Sequence, residues 1–501
     1  MTNTRVFRAE ALLAQPARPR SPLPVLMMAV FAVVLDFFVV NVALPSVQAD
    51  LHAGSAATEW IVAGYGLAFA VLIITGGRLG DRLGRRRVFC AGVALFILAS
   101  ALCGLAASPA VLVAARFAQG AGAALISPNV LAIIGVAFAG PARVRAITVY
   151  GMVMGLAAAG GQLLGGLIIA ANPLGLGWRA IFLVNIPIGL AALAWSGRQI
   201  AESRAPGSAR LDMLGVTLVT LGLTALVLPL VEGTALHWPP WTWASLATAP
   251  VILGSFAVSQ VRAERRGRAP LLPPSLFRRP DLAAGLLTQL AFWCGMASLF
   301  LVLALYLQLG RGLDALQAGL VFTVLAAFYL ATSLRAPAMT LRYGRRLIAA
   351  GALVLAVGEG ALLLAVAEGG GASVAWLVPG LALAGAGMGL CITPLTSTVL
   401  AHADPQRAGA VTGALSTMQQ VGNALGVAVT GVIFFGLLPG GYARAFGVSL
   451  AELAGLLVFV AVLAVVLPRR SRRAGLRGGP APGVPSGQPV PDQADRSRLD
   501  A

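Results

Sequence analysis

The chain has few charged residues and no lysine at all. Of its 501 residues only 11% are charged, 58% are hydrophobic, and all 36 basic residues are arginine. In soluble globular proteins about 25% of residues are charged, and the mean hydropathy here is +0.86. We therefore expect lipid to surround most of the chain. The net charge of +18 then indicates membrane topology and contact with anionic lipid, and it does not indicate nucleic-acid binding.

Cysteine and histidine are also scarce, and their spacing predicts neither a disulfide framework nor a metal site. The four cysteines and three histidines are scattered as Cys90, Cys103, Cys294, Cys391, His52, His237 and His402. A chain without lysine has no Gly-Lys-Ser/Thr loop to cradle phosphates, which excludes this route to ATP-driven pumping. No loop holds a cluster of nucleophiles or acid–base groups. We expect neither an enzyme nor a cofactor.

What the chain does have is a series of apolar runs long enough to cross a bilayer. Fourteen such runs lie at about 22–44, 57–76, 87–107, 109–137, 142–170, 178–198, 211–231, 242–261, 282–308, 316–338, 346–367, 374–400, 407–437 and 448–467. With both termini cytoplasmic, 32 arginines fall in inner segments, and only Arg179, Arg311 and Arg444 fall outside. This bias follows the positive-inside rule. The sequence predicts an all-α integral membrane protein with fourteen transmembrane helices.

A weak internal repeat predicts two six-helix, pseudo-symmetric halves with two helices inserted between them. The segment 338–348 resembles a degraded copy of 77–88 and follows the tenth run as 77–88 follows the second. The alternative is a second, unrelated inner loop. The predicted domains are a retained cytoplasmic tail at 1–21, an N-terminal half at 22–198, the insert at 199–275, a C-terminal half at 276–468 and a disordered cytoplasmic tail at 469–501.

The connection between the second and third runs packs five arginines around one aspartate. The pattern G-x-L-x-D-R-x-G-R-R at residues 77–86 resembles the same loop of the major facilitator superfamily. An arginine-rich topology loop is the plainer interpretation. The resemblance implies a conformational latch in which Asp81 meets a helix N-terminus of the other half, with Arg85 or Arg145 as partners; charge balance within the loop is the alternative. The latch residues are Gly77, Asp81, Arg82, Gly84, Arg85 and Arg145.

Asp36 is a carboxylate within the first apolar run, about nine residues before Pro45, where we expect that helix to end on the outer side. A charge at this depth costs roughly 2.5–3.5 kcal/mol, so it usually faces a cavity or a partner. Proton uptake is one role for such a group, and a single polar contact that locks helices together is the other. The segment L-D-x-x-V-V-N-V-A-L-P at 35–45 resembles the first span of fourteen-span drug:proton antiporters. That resemblance favours the proton site.

Arg116 lies about seven residues into the fourth run, roughly 10 Å from its outer end at 1.5 Å per residue. Asp36 and Arg116 are therefore expected at similar depth, where they can pair or share a water; snorkelling of Arg116 to the outer surface is the alternative. The pattern R-x-x-Q-G-x-G-A at 116–123 is similar to the superfamily's fourth-span motif, which implies a part in proton transfer. We expect Arg116 to keep Asp36 ionised until substrate leaves or a proton arrives.

The fifth run carries glycines that let another helix approach closely. It resembles the antiporter motif of this span, but Gln162 stands where the family pattern has proline. We therefore expect no kink here, and hydrogen-bond partners for the buried glutamine. The predicted gating residues are Gly151, Gly155, Gly161, Gln162, Gly165 and Gly166. The segment 178–187, with Trp178, Arg179, Asn185 and Pro187, again resembles the fourteen-span antiporters.

The remaining candidates have no family motif. Glu359 lies midway along the eleventh run, where an accessory proton site and a structural contact are equally open, whereas Glu59, Glu368 and Glu452 are expected to be solvated near helix ends. Candidates for a substrate cavity, which alternatively pack against lipid or neighbours, are Phe37, Asn41, Tyr65, Gln119, Trp293 and Tyr306.

Together these features predict a proton-coupled secondary active transporter that exports hydrophobic or amphipathic drugs or antibiotics by alternating access. We expect a monomer in the cell membrane, powered by the proton gradient, whose partners are a lipophilic small molecule, protons and lipids. One alternative is a proton-coupled transporter of one specific metabolite or secreted natural product. Another, of a different class, is a membrane sensor that transports nothing.

Overall fold

The computed structural model describes residues 21–204, 212–268, 270–368, 373–401 and 408–466, and within these ranges the chain is helical with no strand. The membrane-length helices are α1 Leu23–Leu51, α2 Ser55–Leu83, α3 Arg85–Gly104, α4 Pro109–Ala137, α5 Gly140–Ala171, α6 Gly177–Gln199, α7 Met213–Ala235, α8 Pro240–Arg265, α9 Pro280–Leu305, α10 Ala315–Ser333, α11 Arg345–Glu368, α12 Val378–Ala401, α13 Ala408–Leu437 and α14 Tyr442–Val466. A short helix, Ala336–Tyr343, precedes α11.

Length and composition qualify thirteen of these described helices as membrane spans. Helix α5 is the fourteenth if its two segments, Gly140–Ala158 and Gly160–Ala171, which meet at 46°, count as one span. Helices are suited to the lipid bilayer because each helix satisfies its backbone hydrogen bonds internally. The predicted all-α membrane fold is confirmed. The predicted tails, 1–21 and 469–501, lie outside the described residues apart from Ser21.

The packing of α1–α6 is repeated by α9–α14. In the first set α2 and α3 pack on α4 and α1 packs on α5; in the second set α10 and α11 pack on α12 and α9 packs on α13. The two sets meet where α5 contacts α10 and where α2 contacts α13, and these contacts are again related by the same offset of eight helices. This repetition agrees with the predicted pair of pseudo-symmetric halves.

The inserted helices α7 and α8 pack against each other, and α7 also contacts both sets through α2 and α13. Apolar side chains fill this three-helix junction, among them Val227 and Val231 of α7 and Ala428 of α13. Trp60 of α2 donates a hydrogen bond from Nε1 to Oε1 of Glu232 at 2.7 Å. Helix α7 is therefore in contact with both helix sets.

The prediction of a loop at 77–88 is wrong, because α2 continues to Leu83 and α3 begins at Arg85. Only Gly84 breaks the helix, with a φ of +116° that side chains rarely adopt. The last turns of α2 stay helical because they pack on α4, where Asn129 donates from Nδ2 to the Gly76 carbonyl at 3.1 Å. The second copy has the same construction, since Gly344, with a φ of +54°, separates the short helix from α11.

Candidate proton-coupling site

Asp36 of α1 and Arg116 of α4 form a direct ion pair in the middle of the first helix set. Nη1 of Arg116 contacts Oδ2 of Asp36, and both side chains have 0% exposure. Nε of Arg116 also donates to the Ile61 carbonyl of α2 at 2.8 Å. The pair therefore joins three helices at one point.

Amide and hydroxyl groups complete the surroundings of the Asp36 carboxylate. Its Oδ1 accepts from Nε2 of Gln119 at 3.1 Å and from Nδ2 of Asn185 at 2.7 Å. The same Gln119 nitrogen donates to Oγ of Ser100 at 2.8 Å, while Oε1 of Gln119 accepts from Arg116 at 2.8 Å. The sequence placed Gln119 among the cavity residues, but the structure places it in this buried network. Ser100 was not among the predicted site residues, and Asn185 was predicted only as part of a motif.

Aromatic rings enclose the guanidinium group of Arg116. Its Cζ lies 4.4 Å from the centroid of the Tyr65 ring and 5.8 Å from that of Phe182. The alternative in which Arg116 snorkels to the outer surface is wrong, because the side chain is fully buried and turns towards Asp36. Such stacking adds cation–π attraction to the ion pair.

Asp36 and Arg116 meet directly, in agreement with the similar depth expected for them. The expectation that the first helix ends at Pro45 is wrong, because α1 continues through Pro45 to Leu51. Proline removes one backbone donor but does not end a helix whose neighbours support it. The helix ends thus lie at different heights.

Glu359 is buried in α11, with 1% exposure. Its Oε2 has no hydrogen-bond partner among the described residues. The charged group that acts on it is Glu452 of α14, which accepts a hydrogen bond from Thr430 Oγ1 of α13 at 3.0 Å. The second set therefore carries its own buried carboxyl, without the arginine that accompanies Asp36 in the first set.

The expectation that Glu59 and Glu452 are solvated near helix ends is wrong. Glu452 lies well inside α14 and is partly buried, and Glu59 has 1% exposure although it is only in the second turn of α2. Glu59 is covered by Gly431 of α13, a contact that hydropathy along the chain cannot reveal. The side chain of Glu368 lies outside the described residues.

The predicted latch residues lie at the other end of α2. Oδ1 of Asp81 accepts from Nη2 of Arg85 at 2.7 Å, one helical turn away. Gly77 lies close to α4, and Gly84 lies close to Glu202. Arg82 and Arg145 are both exposed, and in the described part of the chain Arg145 forms no ion pair with Asp81. Of the two predicted partners, the structure brings only Arg85 to Asp81.

A different carboxylate occupies the helix N-terminus next to this latch. Glu202, in the segment after α6, accepts from the backbone N–H of Arg86 at 3.1 Å and of Arg87 at 3.3 Å. An anion at the first turn of α3 is favourable, because the unpaired N–H groups and the helix dipole both attract it. Glu202 belongs to none of the motifs recognised in the sequence.

The glycines of α5 face two different neighbours. Ideal Cβ atoms at Gly161 and Gly165 would lie 3.0 Å and 2.7 Å from side-chain atoms of α1, whereas one at Gly166 would lie 2.3 Å from the Ala315 carbonyl oxygen of α10. Gly155 lies near Tyr329 of α10, and nothing lies within 4 Å of a Cβ at Gly151. The close approach of the two sets is therefore at Gly166.

The prediction that α5 is unkinked without a proline is wrong, because the helix bends by 46° between Ala158 and Gly160. Adjacent glycines, here Gly160 and Gly161, are a known cause of such kinks. Gln162 is fully buried just beyond the bend and donates from Nε2 to the Phe38 carbonyl at 2.9 Å. Its predicted need for a partner is met on that side, while its Oε1 has no partner among the described residues.

Most of the predicted cavity residues are packed inside the protein. Phe37 and Asn41 of α1 are buried, Tyr65 donates from its hydroxyl to the Val33 carbonyl at 3.2 Å, and Trp293 is half-buried. Tyr306 stacks on Phe446 with centroids 4.4 Å apart. The alternative of packing against neighbours describes these contacts.

A run of aromatic rings crosses between the two sets. Phe38 of α1 meets Phe300 of α9 at a centroid distance of 5.1 Å, and Phe300 stacks on Phe322 of α10 at 5.5 Å. Phe37 joins this run to Tyr65, with centroids 5.8 Å apart. Phe300 and Phe322 were not predicted, because they carry no local signal that distinguishes them from other apolar residues.

Residues 26–427 match the family model described as the Major Facilitator Superfamily. The chain is 41% identical over 424 residues to the "Probable actinorhodin transporter" of Streptomyces coelicolor, a match that covers 84% of this chain and 73% of that protein. It is 39% identical over 453 residues to the "Cephamycin export protein CmcT" of Amycolatopsis lactamdurans, covering 88% and 91%. It is 34% identical over 406 residues to the "Multidrug resistance protein Stp" of Mycobacterium tuberculosis, covering 80% and 73%.

Among solved structures, the chain is similar to an auto-inhibited POT family peptide transporter, with a TM-score of 0.66 at 18% identity over 90% of this chain and 97% of that one. It is similar to the POT family transporter PepTSo, with a TM-score of 0.66 at 14% identity over 90% and 98%. At these identities the likeness is one of fold.

Proposed function

Because the chain belongs to the major facilitator superfamily, we propose that it exports hydrophobic or amphipathic drugs or antibiotics by alternating access, in exchange for protons. The relatives support export, since their names describe a transporter of actinorhodin, an exporter of cephamycin and a multidrug resistance protein. The proton gradient is the proposed energy source.

The buried ion pair of Asp36 and Arg116 is the observation that supports proton coupling most directly. With Asp36 ionised, the two charges compensate each other. A proton on Asp36 would leave the buried Arg116 charge without compensation, which is strongly unfavourable. Proton binding therefore favours a rearrangement around the pair, and a ligand that binds one arrangement better shifts the balance between them.

We assign Glu359 to an accessory proton site in the second helix set. Its burial and its partnerless Oε2 support this assignment, because an ionised carboxylate in such surroundings is costly and the neutral acid is not. The number of protons coupled to each transport cycle depends on which groups titrate within it. It is one if only Asp36 titrates and two if Glu359 titrates as well.

The moving parts are the predicted halves, 22–198 and 276–468, with the insert 199–275 between them. The repeated packing supports this division, because each set is held together by contacts that its counterpart reproduces. Duplicated halves with a binding site at their interface are usual in secondary transporters. The predicted gating residues Gly151, Gly155, Gly161, Gln162, Gly165 and Gly166 all belong to α5, and those that lie near α10 of the other half, Gly155 and Gly166, mark the contact along which the halves slide.

For the latch we propose that Asp81 exchanges Arg85 for a helix N-terminus of the other half when the molecule opens to the outside. Asp81 is suited to this exchange because its side chain is 38% exposed and its partner Arg85 is only four residues away on the same surface. Exposed pairs of this type contribute only about 0.3–0.5 kcal/mol, so they break readily. Gly77, Arg82, Gly84 and Arg145 complete the proposed latch.

We place the protein in the cell membrane as a monomer. Both termini would be cytoplasmic, a topology that the arginine bias supports. The substrate would be a lipophilic small molecule bound where the halves meet. Near Phe38 the Oδ1 of Asn41 and the Oε1 of Gln162 lack partners among the described residues, and such buried acceptors suit a ligand's hydroxyl or amine. Phe37, Tyr65, Trp293 and Tyr306 would contribute aromatic surface.

Export of one secreted natural product is the second candidate function. It is favoured by the names of two relatives of about 40% identity, each of which refers to a single antibiotic. A narrow substrate range in the transport experiment below would favour this candidate over drug export in general.

Transport by the purified full chain in liposomes with an imposed pH gradient tests the proposal. A panel of fluorescent cationic and neutral dyes is used, and wild type is compared with Asp36→Asn. We expect dye movement that follows the gradient and that Asp36→Asn abolishes.

Asp50→Asn is the matched control, because Asp50 lies on the same helix but near its end, where it pairs with Arg179 at 2.5 Å. It should retain gradient-driven movement. Dye movement by wild type that ignores the gradient, or full coupling in Asp36→Asn, would contradict the proposal.

A further inference from the structure

Glu59 carries a buried carboxyl group at the contact between the two helix sets. It belongs to α2, has 1% exposure, and lies against Gly431 of α13. An ideal Cβ at Gly431 would be 2.3 Å from Oε2 and 2.5 Å from Cδ of Glu59. Only a residue without a side chain leaves room for the carboxyl group here.

No partner compensates this carboxyl group within the described residues. Its Oε2 has no hydrogen-bond partner, and Glu59 forms no ion pair in the described part of the chain. An ionised carboxylate buried in this way is strongly unfavourable, whereas the neutral acid loses much less on leaving water.

The charged groups on the surrounding helices do not change this balance. Helix α13 has no charged residue between Ala408 and Leu437, and α7 presents Glu232, which is itself negative and is held by Trp60. The charge on α4 is Arg116, which is already paired with Asp36.

Asp50, near the end of the neighbouring α1, is paired with Arg179 of α6. The charged groups of α1 and α4 are thus engaged elsewhere, and the charged group that acts on Glu59 is another carboxylate, that of Glu232.

Glu59 is also close to water in one direction. It is four residues from Ser55, about 6 Å along α2, and that helix end is the outer one in the proposed topology. Separation of α2 from α13 at this end would expose the carboxyl group, while their contact covers it.

We propose that Glu59 binds a proton from the outer solution when the outer end closes, and releases it to the same solution when that end opens. Oε2 takes up the proton and the carboxylate becomes the neutral acid, which the contact with Gly431 can bury. This inference rests on the proposed alternating access and topology. Because the proton enters and leaves on one side, Glu59 sets how readily the outer end closes and adds no proton to those carried across.

Distances across the outer end of the full chain in lipid nanodiscs test the proposal. Spin labels on genetically encoded amino acids at Ala107 and Ala443, exposed positions of the two sets, leave the four cysteines in place. Pulsed electron–electron double resonance then gives the populations of short and long distances from mildly acidic to mildly alkaline pH. We expect the short distance to lose population in wild type as the pH rises, and this pH dependence to be lost in Glu59→Gln, which stays short.

Two further variants make the test specific. Gly431→Ala places a methyl group where the carboxyl group lies, so the long distance should gain population at every pH. Glu232→Gln keeps an oxygen acceptor for Trp60 and should retain the wild-type pH dependence. A wild-type response in Glu59→Gln, or loss of the response in Glu232→Gln alone, would overturn the proposal.

Transport by the same variants in liposomes distinguishes this inference from the proposed function. If dyes follow the proton gradient in liposomes while Glu59→Gln responds to pH as wild type does, the inference fails and the function stands. If the distance change depends on Glu59 but no dye moves, the function fails and the proton site stands.

Discussion

At the residue scale, Asp36 and Arg116 can be buried because each compensates the other's charge. Gln119 and Asn185 add donors to the carboxylate, yet Nη2 of Arg116 and Oδ1 of Asn185 have no partner among the described residues. Low polarity strengthens each bond that is made and penalises each one that is missing. This unused donor and acceptor can form new hydrogen bonds, with a water or with each other's neighbours, when a proton arrives.

Removal of Arg116 should therefore harm the fold more than removal of both charges. Arg116→Ala leaves Asp36 buried without compensation, which destabilises by about 3–5 kcal/mol. The double variant Asp36→Asn/Arg116→Ala buries no net charge and should lose less than the sum of the two single variants. Thermal unfolding of the purified proteins in detergent measures this; additive losses would mean that the two charges do not interact.

At the element scale, α5 contacts its own half on one face and the opposite half on another. Gly161 and Gly165 allow α1 to approach, Gly166 allows α10 to approach, and the bend between Ala158 and Gly160 comes just before these glycines. Small residues of this kind let helix backbones meet closely in a membrane, where hydrophobic burial does not drive association. The glycines thus allow a close contact between α5 and α10, which can separate and form again during transport.

A methyl group at Gly166 should keep the two halves apart at this contact. In Gly166→Ala the new carbon would meet the Ala315 carbonyl oxygen, a backbone atom that cannot turn away. Overpacking of this kind costs about 1–3 kcal/mol, and we expect gradient-driven transport to fall accordingly. Gly151→Ala is the matched control, because nothing lies within 4 Å of its new carbon. Equal transport by both variants would show that the approach of α5 to α10 is not needed.

At the scale of the whole molecule, the two helix sets meet through α2–α13 and α5–α10, and the insert contacts both through α7. Alternating access needs these contacts to separate at one end while others form at the opposite end. The proposed direction of export depends on which end is outside.

Labelling in intact cells should determine the orientation of the bundle. Leu174, 95% exposed between α5 and α6, lies on the proposed outer side, and the exposed Arg266, after α8, on the inner side. A membrane-impermeant thiol reagent should label Leu174→Cys in intact cells and Arg266→Cys only after permeabilisation, because arginine-rich loops stay inside. The parent chain reports labelling of its four native cysteines. The reverse pattern would invert the proposed topology.

Sequence alone predicted much of this architecture and part of the candidate site. Hydropathy located the spanning helices to within several residues, and the depth of Asp36 and Arg116 marked them as special because an embedded charge is rare. The place of Gln119 was not predictable in the same way, since its role depends on which helix it faces. The bend of α5 was not predicted, because no proline stands in this part of the helix.

The sequence by itself determined that this protein is a membrane protein, about how many spanning helices it has and which loops carry positive charge. These properties depend on the composition of short segments, because each segment partitions into lipid or water according to its own residues. Only the tertiary structure decided that Glu59 is buried, that Glu202 lies at the α3 N-terminus, and that Gln119 joins the ion pair. Burial of a polar side chain is set by helices distant along the chain, and no local pattern contains that information.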